Sequence, residues 1–142
     1  MLSAILGLVG CSASVDTGSF EKELDGIQGV NGSLVEVQHP GLPTNTDVVV
    51  WLFVDSTDVA SVSATAREVA EIVKVDDSVR THQVSLAVVQ GEPAQYPTRS
   101  DVSSHSAQVM HKVAEELGLP RSAGGFLRLD TQAVSQLTGS NG

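Results

Sequence analysis

The chain of 142 residues contains one cysteine, Cys11. A single thiol can form no intramolecular disulfide and no cysteine-rich zinc site. Basic residues are scarce: 8 Lys and Arg against 17 Asp and Glu give a formal net charge of −9. There is no basic run, so recognition of nucleic acid through its phosphates is not expected. Aromatic residues are limited to Phe20, Trp51, Phe53, Tyr96 and Phe126. No stretch reaches the roughly 20 apolar residues of a transmembrane helix. Gly-x-Gly-x-x-Gly and Gly-Lys-Ser/Thr phosphate loops, the His-Glu-x-x-His zinc helix and the Gly-x-Ser-x-Gly nucleophile elbow are all missing. No cofactor is expected.

What is there is a core-forming composition. Hydrophobic residues make up 41% and charged residues 18%, which suits one small globular domain and excludes wholesale disorder. Phe20, Leu24 and Ile27 recur at helical spacing and predict a helix over 20–25 with Ser19 as its cap. Residues 33–38 alternate as a strand, and 39–46 form a turn-rich loop with two prolines. Residues 48–54 are the strongest strand. Asp58 is placed to cap a helix whose apolar stripe is Val59, Val62, Ala66, Val69, Ala70 and Val73. A strand over 82–89, a loop over 91–101, a helix over 106–117 ended by Gly118 and Pro120, and a short strand over 126–129 follow.

The order α-β-β-α-β-α-β predicts an α/β (α+β) sandwich: a small mixed four-stranded sheet with helices packed on it, broadly like ferredoxin-type folds in architecture. The first two strands are expected to pair as a hairpin. The two helix-bearing crossovers are expected to join parallel neighbours.

The strand over 48–54 is apolar on both faces. Val48, Val50, Leu52 and Val54 line one; Val49, Trp51 and Phe53 line the other. A strand covered on one side alternates apolar with polar. Either both faces are covered, or Val49, Trp51 and Phe53 form a patch for a partner, a dimer mate or a lipid tail. Small Ser85 and Ala87 on the neighbouring strand would make room for Trp51 in the covered case.

Four histidines, His39, His82, His105 and His111, are scattered. His105 and His111 are six apart and do not share a helix face, so no metal site is expected. The acidic turns at Asp55–Asp58 and Asp76–Asp77 lack EF-hand spacing. No catalytic set is identified.

The N-terminus is the most specific feature. Residues 2–9 are uncharged and mostly aliphatic, and small polar residues follow Cys11. This is the pattern of a short secretory signal peptide. Leu8-Val9-Gly10-Cys11 resembles the lipobox of bacterial lipoproteins. That resemblance covers about a tenth of the chain and implies cleavage before Cys11 and acylation of its thiol, with chains such as palmitate. No Lys or Arg precedes Lys22, a departure from the usual basic n-region that is read as a start upstream of Met1 or a fragment.

The expected organisation is a signal peptide over 1–10, a lipidated cysteine and tether over 11–19, a globular domain over 20–137 and a tail over 138–142. The chain is expected on the extracytoplasmic side of the cell membrane, anchored by lipid, as a non-enzymatic binding or accessory module. Its expected partners are the membrane and either an envelope protein or a small ligand. The rival expectations are a small envelope hydrolase using His82 or His105 with a neighbouring Asp, and a cytosolic domain with a mis-assigned start.

Overall fold

A computed structural model describes residues 15–39, 46–120 and 125–139. Cys11 and the lipobox lie outside the described residues. The architecture is the expected one: a mixed four-stranded sheet, in the order β1-β2-β3-β4, with helices packed on it.

Strand β2 (Asp47–Val54) is the spine of the sheet. Its valines, leucine and aromatics suit a pleated surface buried on both sides, and every residue from Val48 to Val54 is buried. Strand β1 (Val30–Gln38) pairs with it antiparallel, placing Leu34 opposite Trp51 and Val35 opposite Val50. Strand β3 (Gln83–Gln90) pairs with β2 in parallel, placing Ala87 beside Trp51. The short β4 (Leu127–Leu129) runs antiparallel to β3, with Leu127 opposite Leu86. This corrects the expectation of parallel neighbours there. The β3–β4 connection is not a single crossover helix. It is broken into two short helices, and the chain re-enters the sheet from the end at which β3 leaves it.

One face of the sheet carries the main core. Helix α1 (Thr17–Asp25) buries Phe20 and Leu24. It starts earlier than its apolar spacing suggested, because Asp16, not Ser19, caps it by accepting from Ser19 N–H at 3.1 Å. Helix α2 (Val59–Val75) is capped by Asp58, as expected, and buries Val62, Ala66, Val69, Ala70 and Val73. These side chains meet Val48, Val50, Leu52 and Val54 of β2 and Val84, Leu86 and Val88 of β3.

The expected helix over 106–117 is the shorter helix α4 (Met110–Leu117), and a separate helix α3 (Arg99–Ser104) forms ahead of it, beginning in the stretch expected as loop. Ser103 and Ser104 lie inside α3. Thr98 caps α3 through a reciprocal box with Asp101, its hydroxyl accepting from Asp101 N–H at 3.1 Å and the Asp101 carboxylate accepting from Thr98 N–H at 3.3 Å. Gly118 ends α4 with φ +73°, a left-handed conformation that costs glycine little. The final helix α5 (Thr131–Thr138) was not anticipated. Asp130 caps it, and Ala133, Val134 and Leu137 bury its inner side.

Candidate functional site

The other face of the sheet holds the residues singled out from sequence. Val49, Trp51 and Phe53 are only 4%, 3% and 3% exposed. They form a second, smaller core with Ala87, Val89 and Val102, flanked by Leu34, Tyr96 and Phe126. Of the two alternatives left by the sequence, the covered face is the one observed, and these three side chains do not form an exposed patch. The residues after β3 fold back as a cover: a 3-10 turn (Pro93–Gln95) and then α3. The apolar reading of both faces of β2 thus has its cause in a lid made of a segment that looked like plain loop.

The register sorts this outer face by polarity. Gln38, Asp47 and Gln83 form the first row, at the start of the parallel strands. Glu36, Val49 and Ser85 form the second row, Leu34, Trp51 and Ala87 the third, and Gly32, Phe53 and Val89 the last. The apolar rows lie at the end where β2 and β3 terminate. The polar rows lie at the end where they begin.

The lid is fixed by several specific contacts. Tyr96 stacks on Phe53 with ring centroids 5.9 Å apart, and its hydroxyl donates to the Gln90 carbonyl at 2.7 Å. Trp51 meets the edge of Phe126 at 5.9 Å and 67°, a favoured aromatic geometry. Arg99 of α3 makes an ion pair through Nε with Glu36 of β1. Its guanidinium carbon also lies 5.5 Å from the centre of the Trp51 ring, within cation–π range. Arg99 is 54% exposed and Glu36 26%, so the pair is a half-open bridge and not a buried one.

Two hollows flank this bridge. On the apolar side a hollow of about 260 Å³ is lined by Leu34, Phe53, Pro93, Tyr96 and Pro97, among others. On the polar side a hollow of about 270 Å³ is lined by Gln38, Asp47, Trp51, Ser85, Arg99 and Ser103, with Val49 and Phe126. Both carboxylate oxygens of Asp47 are approached by the Ser85 hydroxyl, at 3.0 and 3.3 Å. The indole N–H of Trp51 is buried and has no acceptor. Buried donors are nearly always paired, so this one stands out.

A larger cleft of about 560 Å³ lies at the opposite end, between the turn after α1, Asp55 and the start of α2. This is where α/β sheets often bind anions, at a helix N-terminus beyond parallel strands. Here the position is already taken. The Asp58 carboxylate accepts from the Ser56 hydroxyl and from the Ser61 N–H and hydroxyl at 3.0 and 2.9 Å. The Ser56 hydroxyl bond, then the two Ser61 bonds, lower its pKa from 3.8 to about 2. The chain supplies its own anion to that helix.

The histidines do not converge. His105 packs on Tyr96 with centroids 5.3 Å apart, and its Nδ1 lies 2.8 Å from the backbone carbonyl of Asp101, not from a carboxylate. His39 lies 3.5 Å from the Thr46 hydroxyl. No group of three or more His, Cys, Asp or Glu able to hold a metal ion occurs among the described residues.

Sequence reasoning found Trp51, named Ser85 only as a small neighbour and not as a partner of Asp47, and missed Asp47, Arg99 and Glu36. The only sequence signal for Asp47 and Ser85 was a polar residue interrupting the apolar outer row of each parallel strand. The Arg99–Glu36 pairing joins residues 63 positions apart and left no local trace. No family model, curated protein or solved structure matches the chain.

Proposed function

We propose that this chain is an exported lipoprotein whose domain is a small, non-enzymatic binding module held at the extracytoplasmic face of a bacterial membrane. The carrying observation is Leu8-Val9-Gly10-Cys11, a lipobox-like sequence on the only cysteine, behind an apolar run. Acylation adds roughly 0.8 kcal/mol of membrane affinity per buried methylene, and two chains anchor stably where one is marginal. Packed structure begins close behind: Val15 packs against the core and Asp16 N–H donates to Ser78 at 3.2 Å. At most about 3.5 Å per residue, residues 12–14 keep the domain within ~15 Å of the anchor. Residues 15–19, expected within the tether, belong to the packed domain.

The hollow beside Arg99 supports a binding role over a catalytic one. It has a carboxylate, a guanidinium and hydroxyls, and no histidine among the described residues lines it. Intact-mass spectrometry of the membrane fraction, with a Cys11→Ala control, tests the anchor. The expected species starts at Cys11, carries added acyl mass, and is lost in the control. A soluble, unprocessed chain overturns the reading.

A further inference from the structure

We infer that the polar hollow between β1, β2 and α3 binds a small zwitterion of the free α-amino acid class. Its ammonium is held by Asp47 and its carboxylate by Arg99. This rests on reading the domain as a binding module and names the ligand class of that same site.

Four observations carry it. The hollow is bipolar, with one carboxylate and one guanidinium on its wall. Both have capacity to spare. Asp47 receives a single hydroxyl, whereas an ionised carboxylate offers about four acceptor sites. Arg99 uses Nε for Glu36, and its two terminal nitrogens make no hydrogen bond with any described residue. Glu36 holds the guanidinium in place, so part of the ordering cost of binding is already met.

Spacing is the second point. Glu36 opposes Val49, one row along the sheet from Asp47. The guanidinium that Glu36 holds and the Asp47 carboxylate therefore belong to adjacent rows of one sheet face and line the same hollow.

The third point is shape. A hollow of about 270 Å³ is too small for most drug-sized ligands, which occupy sites of roughly 300–1,000 Å³. Trp51 and Phe126 give it an apolar wall against which a short side chain can lie. Fourth, Trp51 on that wall carries a buried N–H that has no acceptor among the described residues.

The test is calorimetric titration of the full chain, purified from membranes in detergent, with each proteinogenic amino acid. N-acetyl-alanine and alaninamide serve as blocked controls, and phosphoethanolamine as a zwitterion of longer span. The expected result is saturable binding of one or a few free amino acids, lost when either end is blocked. Asp47→Asn and Arg99→Gln each weaken it about 10- to 100-fold. Arg99→Lys, which keeps charge but not the forked geometry, falls between. Glu68→Gln, at the opposite cleft, changes charge as Asp47→Asn does and leaves affinity unchanged.

Circular dichroism of each variant separates loss of the site from loss of the fold. If Arg99→Gln unfolds the lid, Asp47→Asn alone decides. No binding up to millimolar concentration, equal binding of blocked forms, binding of phosphoethanolamine alone, or loss with Glu68→Gln each overturns the inference. If the chain proves unprocessed and soluble, the same titration runs on the soluble chain, so the anchor and the ligand fail independently.

Discussion

Trp51 shows how a buried side chain can both fill a core and form the wall of a hollow. Its ring is sandwiched by an arginine above and Phe126 at the edge, and small Ala87 beside it in the sheet leaves room for its bulk. Truncation to Ala would empty the centre of the outer core. We expect Trp51→Ala to lower unfolding free energy by about 3–5 kcal/mol in urea titration. Trp51→Phe should cost much less, because it keeps most of the apolar area and removes the unpaired N–H. Equal losses for the two variants would show that the indole nitrogen, and not the bulk, is what matters.

Asp58 is the residue whose charge is most clearly used. Its pKa in the fold is about 2, against 3.8 ordinarily, because hydroxyl and backbone donors from Ser56 and Ser61 favour the carboxylate. A lowered pKa contributes stability that is full above pH 3.8 and is lost as pH falls through about 2. Asp58→Asn keeps an N-cap acceptor but cannot ionise. The melting-temperature gap between wild type and Asp58→Asn should therefore be present at pH 6 and close between pH 4 and 2. A gap that does not change with pH would mean that the charge contributes nothing.

At the scale of elements, the lid is the decisive piece. It consists of the 3-10 turn and α3, and it rests on β1 at a position where there is almost no space. A Cβ on Gly32 would lie 2.5 Å from Pro93 Cγ and 3.2 Å from its Cδ. The proline ring is rigid, so either it or the strand must move. Gly32→Ala should lift the 3-10 turn while leaving the main core intact. Hydrogen exchange would register this as faster exchange at Tyr96 and Val102, with the amides of α2 unchanged. Uniform acceleration across the domain would instead indicate loss of the whole fold.

Helix α5 makes the complementary point. Its spacing of Ala133, Val134 and Leu137 and its cap at Asp130 were present in the sequence. Thr, Ser and Gln nevertheless gave it too little intrinsic helix preference to stand out. Packing against α2, and not local preference, makes it a helix.

For the whole molecule, the two faces of the sheet have different roles. The inner face carries the larger core and four helices; the outer face carries a small aromatic core and a lid with polar hollows at its margin. Asp16 meets Ser78 just after α2, and α2 runs back from the far end of β2 to the start of β3. The start of α1 and the Asp47 row therefore lie at the same end of the sheet. With the anchor proposed at Cys11, the hollow would lie towards the membrane. The net charge of −9 opposes tight contact with anionic lipid, which would keep that end from collapsing onto the surface.

The sequence by itself determined the periodic elements. The four strands, α1, α2 and the cap at Asp58 follow from side-chain spacing and local hydrogen-bonding groups, which act over a few residues and so are written in consecutive letters. It also carried the lipobox-like motif, a contiguous signal. Only the tertiary structure decided the direction of β4, the helix α3 that begins in the expected loop, and the covering of Val49, Trp51 and Phe53. It alone brought Arg99 to Glu36 and set both beside Asp47 and Ser85. These depend on contacts between residues tens of positions apart, where the pairing energy is shared between segments and neither segment alone records it.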